Sequence, residues 1–155
     1  WQMLKRGLAH DYLFFNLGGL AHEVGVLRVM KIIADRWSYG DRPRFIAVDL
    51  RPAVEAMRQT VTPRYWQVVL KRLMMHAADA VADRYHHTAL VTGEAVGQVS
   101  SQTLQNLAVI TAGCRHLVLI HASRRHRLRD VEKILDDSLR PILDCELHHL
   151  MVDWN

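Results

Sequence analysis

Apolar residues recur along this chain in two alternating rhythms. Some fall in short continuous runs. Others return at three- and four-residue steps over longer stretches. The first rhythm marks buried strands, the second helices with one apolar face. "WQMLKRG" reads as a short helix stopped by Gly7, and "HDYLFFNL" (10–17) as a strand closed by Gly18 and Gly19. Leu20, Val24, Leu27, Met30, Ala34 and Trp37 step helically, which predicts a helix over 20–37 with that stripe facing the core. "RFIAVDL" (44–50) is a second strand, and a short helix over 52–57 follows, with Pro52 in its first turn. After Pro63, Trp66, Val69, Leu70, Leu73, Met74, Ala77, Val81 and Tyr85 line one face of the longest helix, which His86 and His87 end. A third strand is expected over 89–93. Ser100 or Ser101 is expected to cap a helix that runs through Leu107. "HLVLIHA" (116–122) is a fourth strand, 127–139 a helix, and "CELHHLMVDW" (145–154) a fifth strand. Strands alternating with helices, most strands being continuously apolar, predict an α/β fold: a parallel sheet with helices on both faces. "TAGCR" (111–115) interrupts two apolar runs and is the one soft seam.

The stretch "ALVTGEAVGQVSSQTLQNL" (89–107) leaves a buried strand for two glycines, a glutamate, amides and hydroxyls. In open α/β sheets, ligands bind beyond the carboxyl ends of strands, and Gly93 is expected at such an end. Without a Cβ it lets a ligand lie against the backbone. Its amide and that of Glu94 can point at an anion or a purine edge. Gln98 and Gln102 bring amides that both donate and accept, and Lys71 brings a point charge for a phosphate. Helical geometry sets Lys71 about 60° from Met74, on the edge of the buried stripe. The alternative is a tight strand-to-helix turn with solvated polar residues. The G-x-x-x-G spacing is neither a dinucleotide fingerprint nor a Walker A loop.

Composition narrows the partners. The 155 residues are half apolar and carry a formal charge of +4 with His neutral, mildly favouring an anionic partner. Two cysteines, Cys114 and Cys145, are too few for a disulfide framework, so a reducing, cytoplasmic setting is expected. No apolar run reaches the roughly 18 residues of a membrane helix, and no membrane association is expected. Ten histidines invite a metal reading, but adjacent residues on a strand point to opposite faces, so neither His86-His87 nor His148-His149 grips one ion easily. No metal site is expected. The densest basic run, "SRRHRLR" (123–129), is either a solvated helix start or a contact to RNA phosphates through Arg124, Arg125, Arg127 and Arg129. His22-Glu23 reads as a capping element of the helix over 20–37 rather than an acid/base pair.

Three segments in fixed order, "FFNLGGLAHEVGV" (14–26), "VVLKRLMMHAA" (68–78) and the stretch 89–107, closely resemble the ThiI family of tRNA 4-thiouridine synthetases. The likeness covers 4–110 and fades beyond. It implies an ATP-pyrophosphatase domain of adenine-nucleotide α-hydrolase-like fold. It implies that ATP, with Mg2+, adenylates the C4 oxygen of uridine 8 of tRNA, and that a protein persulfide then delivers sulfur to give 4-thiouridine. The same sulfur route feeds thiamine thiazole synthesis. The family's ATP-contacting positions fall on Lys71, Gly93 and Gln102. The backbone at Phe14 and Phe15 falls where some members seat the adenine. The implied partners are tRNA and a persulfide donor such as a cysteine desulfurase, and a homodimer is among the expected assemblies.

The chain also departs from the family pattern. The family's S-G-G-x-D-S pyrophosphate loop occurs nowhere in it, and the resemblance puts that loop just ahead of the helix at Trp1. The chain therefore reads as a fragment, one partial domain over 1–155 with a divergent part from 111 to 155. Neither Cys114 ("AGCR") nor Cys145 ("LDCE") has the P-E-Y-C context of the family's sulfur-transfer cysteine, and packing is the expected role of a free cysteine. Two functions stay open: the nucleotide-binding part of a tRNA sulfurtransferase, or a module that binds nucleotide or RNA without chemistry.

Overall fold

The computed structural model describes residues 1–96, 103–122 and 146–149. The chain divides into two compact units, Trp1–Gln59 and Thr60–Asn155. Each carries its own parallel sheet, so the described strands pair as β1-β2 in the first unit and β3-β4-β5 in the second.

In the first unit, α1 (Gln2–Lys5) ends where Gly7 takes φ +75, a conformation that costs glycine nothing. β1 (Tyr12–Asn16) and β2 (Phe45–Asp49) run parallel in register from Tyr12↔Phe45 to Asn16↔Asp49. α2 (Leu20–Trp37) joins them, as a parallel pair requires a crossover. α3 (Arg51–Thr60) starts one residue before the expected 52 and runs three past 57. Met3, Leu4, Leu50 and Met57 are the buried apolar side chains of this unit.

The expected inward stripe of α2 holds in its second half, at Met30, Ala34 and Trp37, and is corrected in its first. Leu20 is 75% exposed, and Val24 and Leu27 are also exposed. The half-buried positions are Glu23, Val26, Met30, Ile33, Ala34 and Trp37. The inward face thus includes Glu23 and Val26 in place of Leu20, Val24 and Leu27. At the helix start Asn16 Nδ2 donates to Glu23 Oε2 at 2.7 Å, which holds residue 23, not 24, towards the end of β1. Hydrophobic periodicity does not register such a bond.

In the second unit, a 3-10 turn (Pro63–Tyr65) leads into α4 (Trp66–Tyr85). His86 closes that helix in the left-handed region at φ +58, with His87 N donating to Ala82 O at 2.9 Å. The most buried residues of α4 are Ala78, Asp79 and Ala82, while the expected stripe from Trp66 to Tyr85 is half-buried. β3 (Val91–Val96), β4 (His116–Ala122) and β5 (Glu146–His149) form a parallel sheet in that order. α5 (Leu104–Thr111) joins β3 to β4 and packs on α4. Leu107, Ala108, Ile110 and Cys114 are buried with Ala78 and Ala82.

Thr103, rather than Ser100 or Ser101, caps α5: its side chain accepts from Asn106 N at 3.2 Å. The helix continues past Leu107 to Thr111. The soft seam is a fastened turn. Thr111 Oγ1 donates to Leu107 O at 2.9 Å, Gly113 takes φ +85, and Arg115 N donates to Asp79 Oδ1 at 2.9 Å. Cys114 is fully buried there, as expected of a packed cysteine. The helix expected over 127–139, Cys145, Ser100 and Ser101 lie outside the described residues.

Candidate functional site

β3 starts two residues later than expected and runs three residues past Gly93, so Gly93 does not end the strand. It sits instead where the β3-β4 ladder breaks. Thr92 pairs with Leu119 and Ala95 with His121, so Gly93 and Glu94 together stand against Ile120 alone. This is a bulge, a device by which a strand re-aims one residue. Gly93 is exposed, its φ lies outside the left-handed region, and a Cβ built on it would meet nothing within 4 Å. Its glycine is required neither by backbone strain nor by crowding from the described residues. The site needs it only if something else approaches.

Glu94 N donates to Thr92 Oγ1 at 3.3 Å, a bond that stands in for the interrupted ladder. The Glu94 carboxylate reaches α4, where Lys71 Nζ donates to its Oε2 at 2.9 Å. Each side chain of this ion pair is 19% exposed. The expectation that Lys71 lies at the edge of the α4 stripe holds, since it is half-buried. Lys71 and Gly93 are therefore brought together, through the residue that follows Gly93. Gln98, Gln102 and Arg124, Arg125, Arg127 and Arg129 lie outside the described residues.

Phe14 and Phe15 belong to the first unit. They lie within β1, in register with Ala47 and Val48. Phe14 stacks on Phe45 at 5.8 Å and meets His22 edge-on at 5.3 Å. Just beyond them, buried Asn16 organises the carboxyl end of the strand. Its Oδ1 accepts from Gly18 N at 3.1 Å and Gly19 N at 2.8 Å, while its Nδ2 holds Glu23. The expected capping role of His22-Glu23 is corrected: Gly19 is the N-cap of α2, no side chain caps the helix, and Glu23, in its first turn, accepts from Asn16 instead. At the neighbouring end of β2, Asp49 accepts from Arg51 Nε at 2.8 Å and Nη2 at 2.6 Å. Those bonds hold its carboxyl down at about 2 and push the Arg51 guanidinium up.

Sequence reasoning missed two carboxylates. Glu94 was read for its amide, yet its side chain is the partner of Lys71. Asp79 is buried in α4 and accepts from the Arg115 backbone, with Arg115 Nε and His116 Nδ1 each 3.6 Å away. The signal for Asp79 was a lone acid between Ala78 and Ala82; for Glu94 there was none, since its partner lies 23 residues away. Among the described residues, no group of three or more His, Cys, Asp or Glu could hold a metal ion, and no helix is long and apolar enough to cross a membrane.

A protein-family model described as thiamine biosynthesis protein (ThiI) matches residues 1–125. The tRNA sulfurtransferase of Yersinia pestis (strain Pestoides F) is 48% identical over 119 residues, covering 77% of this chain and 25% of that protein. The tRNA sulfurtransferase of Yersinia pseudotuberculosis (serotype O:3, strain YPIII) gives the same figures. Among solved structures, a 4-thiouridine synthetase–RNA complex with bound ATP matches with a TM-score of 0.69 and 25% identity, over 92% of this chain and 37% of that one. The chain spans a quarter of the length of the curated relatives it matches.

Proposed function

This chain belongs to the ThiI family, and from that premise we propose that it forms part of the ATP-handling domain of a tRNA sulfurtransferase. The finer fold we assign is the adenine-nucleotide α-hydrolase-like one, a parallel sheet with helices on both faces. The observation that carries the reading is the meeting of Lys71 with the Gly93–Glu94 bulge, in a chain whose solved relative holds RNA and ATP. Space beside an unstrained glycine, open among the described residues, and the half-buried Lys71 ammonium held by the residue that follows it suit a ligand with a flat ring and phosphates.

In this reading ATP is the co-substrate and uridine 8 of tRNA the acceptor. Adenylation of the uridine C4 oxygen releases pyrophosphate; the terminal persulfide sulfur then displaces AMP at C4, and a second thiol cleaves the S–S bond so formed, leaving 4-thiouridine and a disulfide. The α-phosphorus is attacked as charge builds on its oxygens, so positioning and nearby cations lower the barrier. Lys71 supplies such a cation. The Gly93 backbone and the Gln102 amide orient the nucleotide. Mg2+ supplies further charge neutralisation when bound, with phosphates and water as most of its ligands. Arg124, Arg125, Arg127 and Arg129 give tRNA phosphates a salt-dependent hold. The sulfur donor is a persulfide protein such as a cysteine desulfurase, the setting cytoplasmic, and the same sulfur also serves thiazole synthesis. A homodimer is part of the proposal.

The 155 residues contain no S-G-G-x-D-S run, which favours a second reading for the chain by itself: binding of nucleotide or RNA without chemistry. One experiment addresses both. ATP with Mg2+ is titrated into the chain, and 4-thiouridine is then assayed with tRNA and a persulfide donor. Binding without thiolation is expected. Failure to bind ATP, or to lose affinity in Lys71→Met, would sink the first reading, and thiolation would sink the second.

A further inference from the structure

The Lys71–Glu94 pair joins α4 to the one place where β3 leaves its ladder. A pair 19% exposed on each side is shielded enough for the charges to hold one another, and open enough for a solute to reach them. We infer that Glu94 is the resident counter-ion of Lys71, and that a nucleotide phosphate binds by displacing it. The inference rests on the reading of Lys71 as a phosphate contact and says how that contact is regulated.

Three features support it. First, a half-buried ammonium without an anion is costly, so the ligand-free site needs a placeholder, and Glu94 fills that role at 2.9 Å. Second, a phosphate group brings more negative charge and more acceptor oxygens than one carboxylate, so it is the better partner for the same ammonium. Third, Glu94 can release Lys71 with little structural change. It lies in the bulge between the pairs Thr92↔Leu119 and Ala95↔His121, so moving its side chain breaks no ladder pairing. The consequence is a barrier to every phosphate-bearing ligand, which a phosphate-free nucleoside does not meet.

The test uses ATP with Mg2+ and adenosine as probes, by titration calorimetry on this chain. In Glu94→Gln the charge is gone and the shape kept. ATP affinity should rise about two- to fivefold, the upper part of the range for an ion pair open to solvent, while adenosine affinity stays put. In a Lys71→Met background the same substitution should give no gain, because the pair it relieves no longer exists. Glu94→Asp, which keeps the charge but shortens the reach, should give a smaller gain, and apo melting of each variant checks that it is folded. Unchanged or weaker ATP binding in folded Glu94→Gln, with Lys71→Met still impaired, would overturn the counter-ion role alone. Unimpaired ATP binding in Lys71→Met would overturn the reading of Lys71 and this inference with it. Equal gains for ATP and adenosine would also refute it, since a reshaped pocket rather than a freed ammonium would then be the cause.

Discussion

Replacing Gly93 by Val separates a glycine kept for a ligand from one kept for the fold. Gly93 has a backbone that any residue adopts, and a Cβ there meets no protein atom within 4 Å. Nothing among the described residues opposes the side chain, and β-branched residues suit a strand. Removing glycine's freedom from the unfolded chain stabilises by about 0.4–1 kcal/mol. In a domain of this size that is a rise of roughly 1–4 °C in melting temperature. The ligand side runs the other way. Two methyls would occupy the space where a nucleotide meets the backbone, with loss of a fitted contact and of one amide hydrogen bond. That costs about 1–3 kcal/mol, or roughly ten- to a hundredfold in affinity. The assay is paired: ATP titration and apo melting on the same variant. The expected result is weaker binding on a protein that melts no earlier. Retained affinity with an earlier melt would make Gly93 a structural residue of the bulge and remove it from the site.

Two further outcomes follow from the described carboxylates. Asp79→Ala leaves the Arg115 N–H without its acceptor and removes the anion beside His116, and should destabilise the second unit by about 1–3 kcal/mol in thermal or urea unfolding; a change within error would show that the α4 to β4 fastening contributes nothing. Asp49, held at about 2 by Arg51, should stay ionised well below the ordinary carboxylate range. A depressed folded value stabilises above the unfolded one, so its contribution is complete above about 3.8 and is lost as pH falls from there through about 2. A side-chain NMR titration reads the midpoint directly. A midpoint near 3.8 would refute the pairing, and Arg51→Gln should raise it towards that value but not to it, because the residue-51 N–H still donates to Asp49 Oδ1.

The legible parts of the fold were those set by short-range pattern. α2 and β4 lie where the two rhythms put them, because an apolar run bounded by Gly or polar residues leaves little choice of ends. The illegible parts were set by single polar bonds. Periodicity puts Leu20 and Val24 on the inward side of the first turns of α2, yet Asn16 holds Glu23 there instead. β3 was expected to stop at Gly93 because glycine interrupts the run, but the backbone passes through it by taking up an extra residue rather than by turning. Thr103, and not a serine two or three residues earlier, satisfies the α5 amide. In the site, residue chemistry was enough to single out Lys71 and Gly93, but not to show that a carboxylate already holds the lysine. An ion pair across 23 residues leaves no trace in local sequence.

The bulge in β3 also gives the strand slack in length. Elsewhere in a parallel ladder, adding or removing one residue shifts every later pairing and drags the following helix along the sheet. Between Thr92 and Ala95, β4 already contributes one position to the two of β3. Dropping one of those two would let the ladder run on evenly, with Ala95 still opposite His121. This segment can thus be reshaped by deletion as well as by substitution, and the shorter form would be a more regular strand without the step that turns Glu94 towards Lys71.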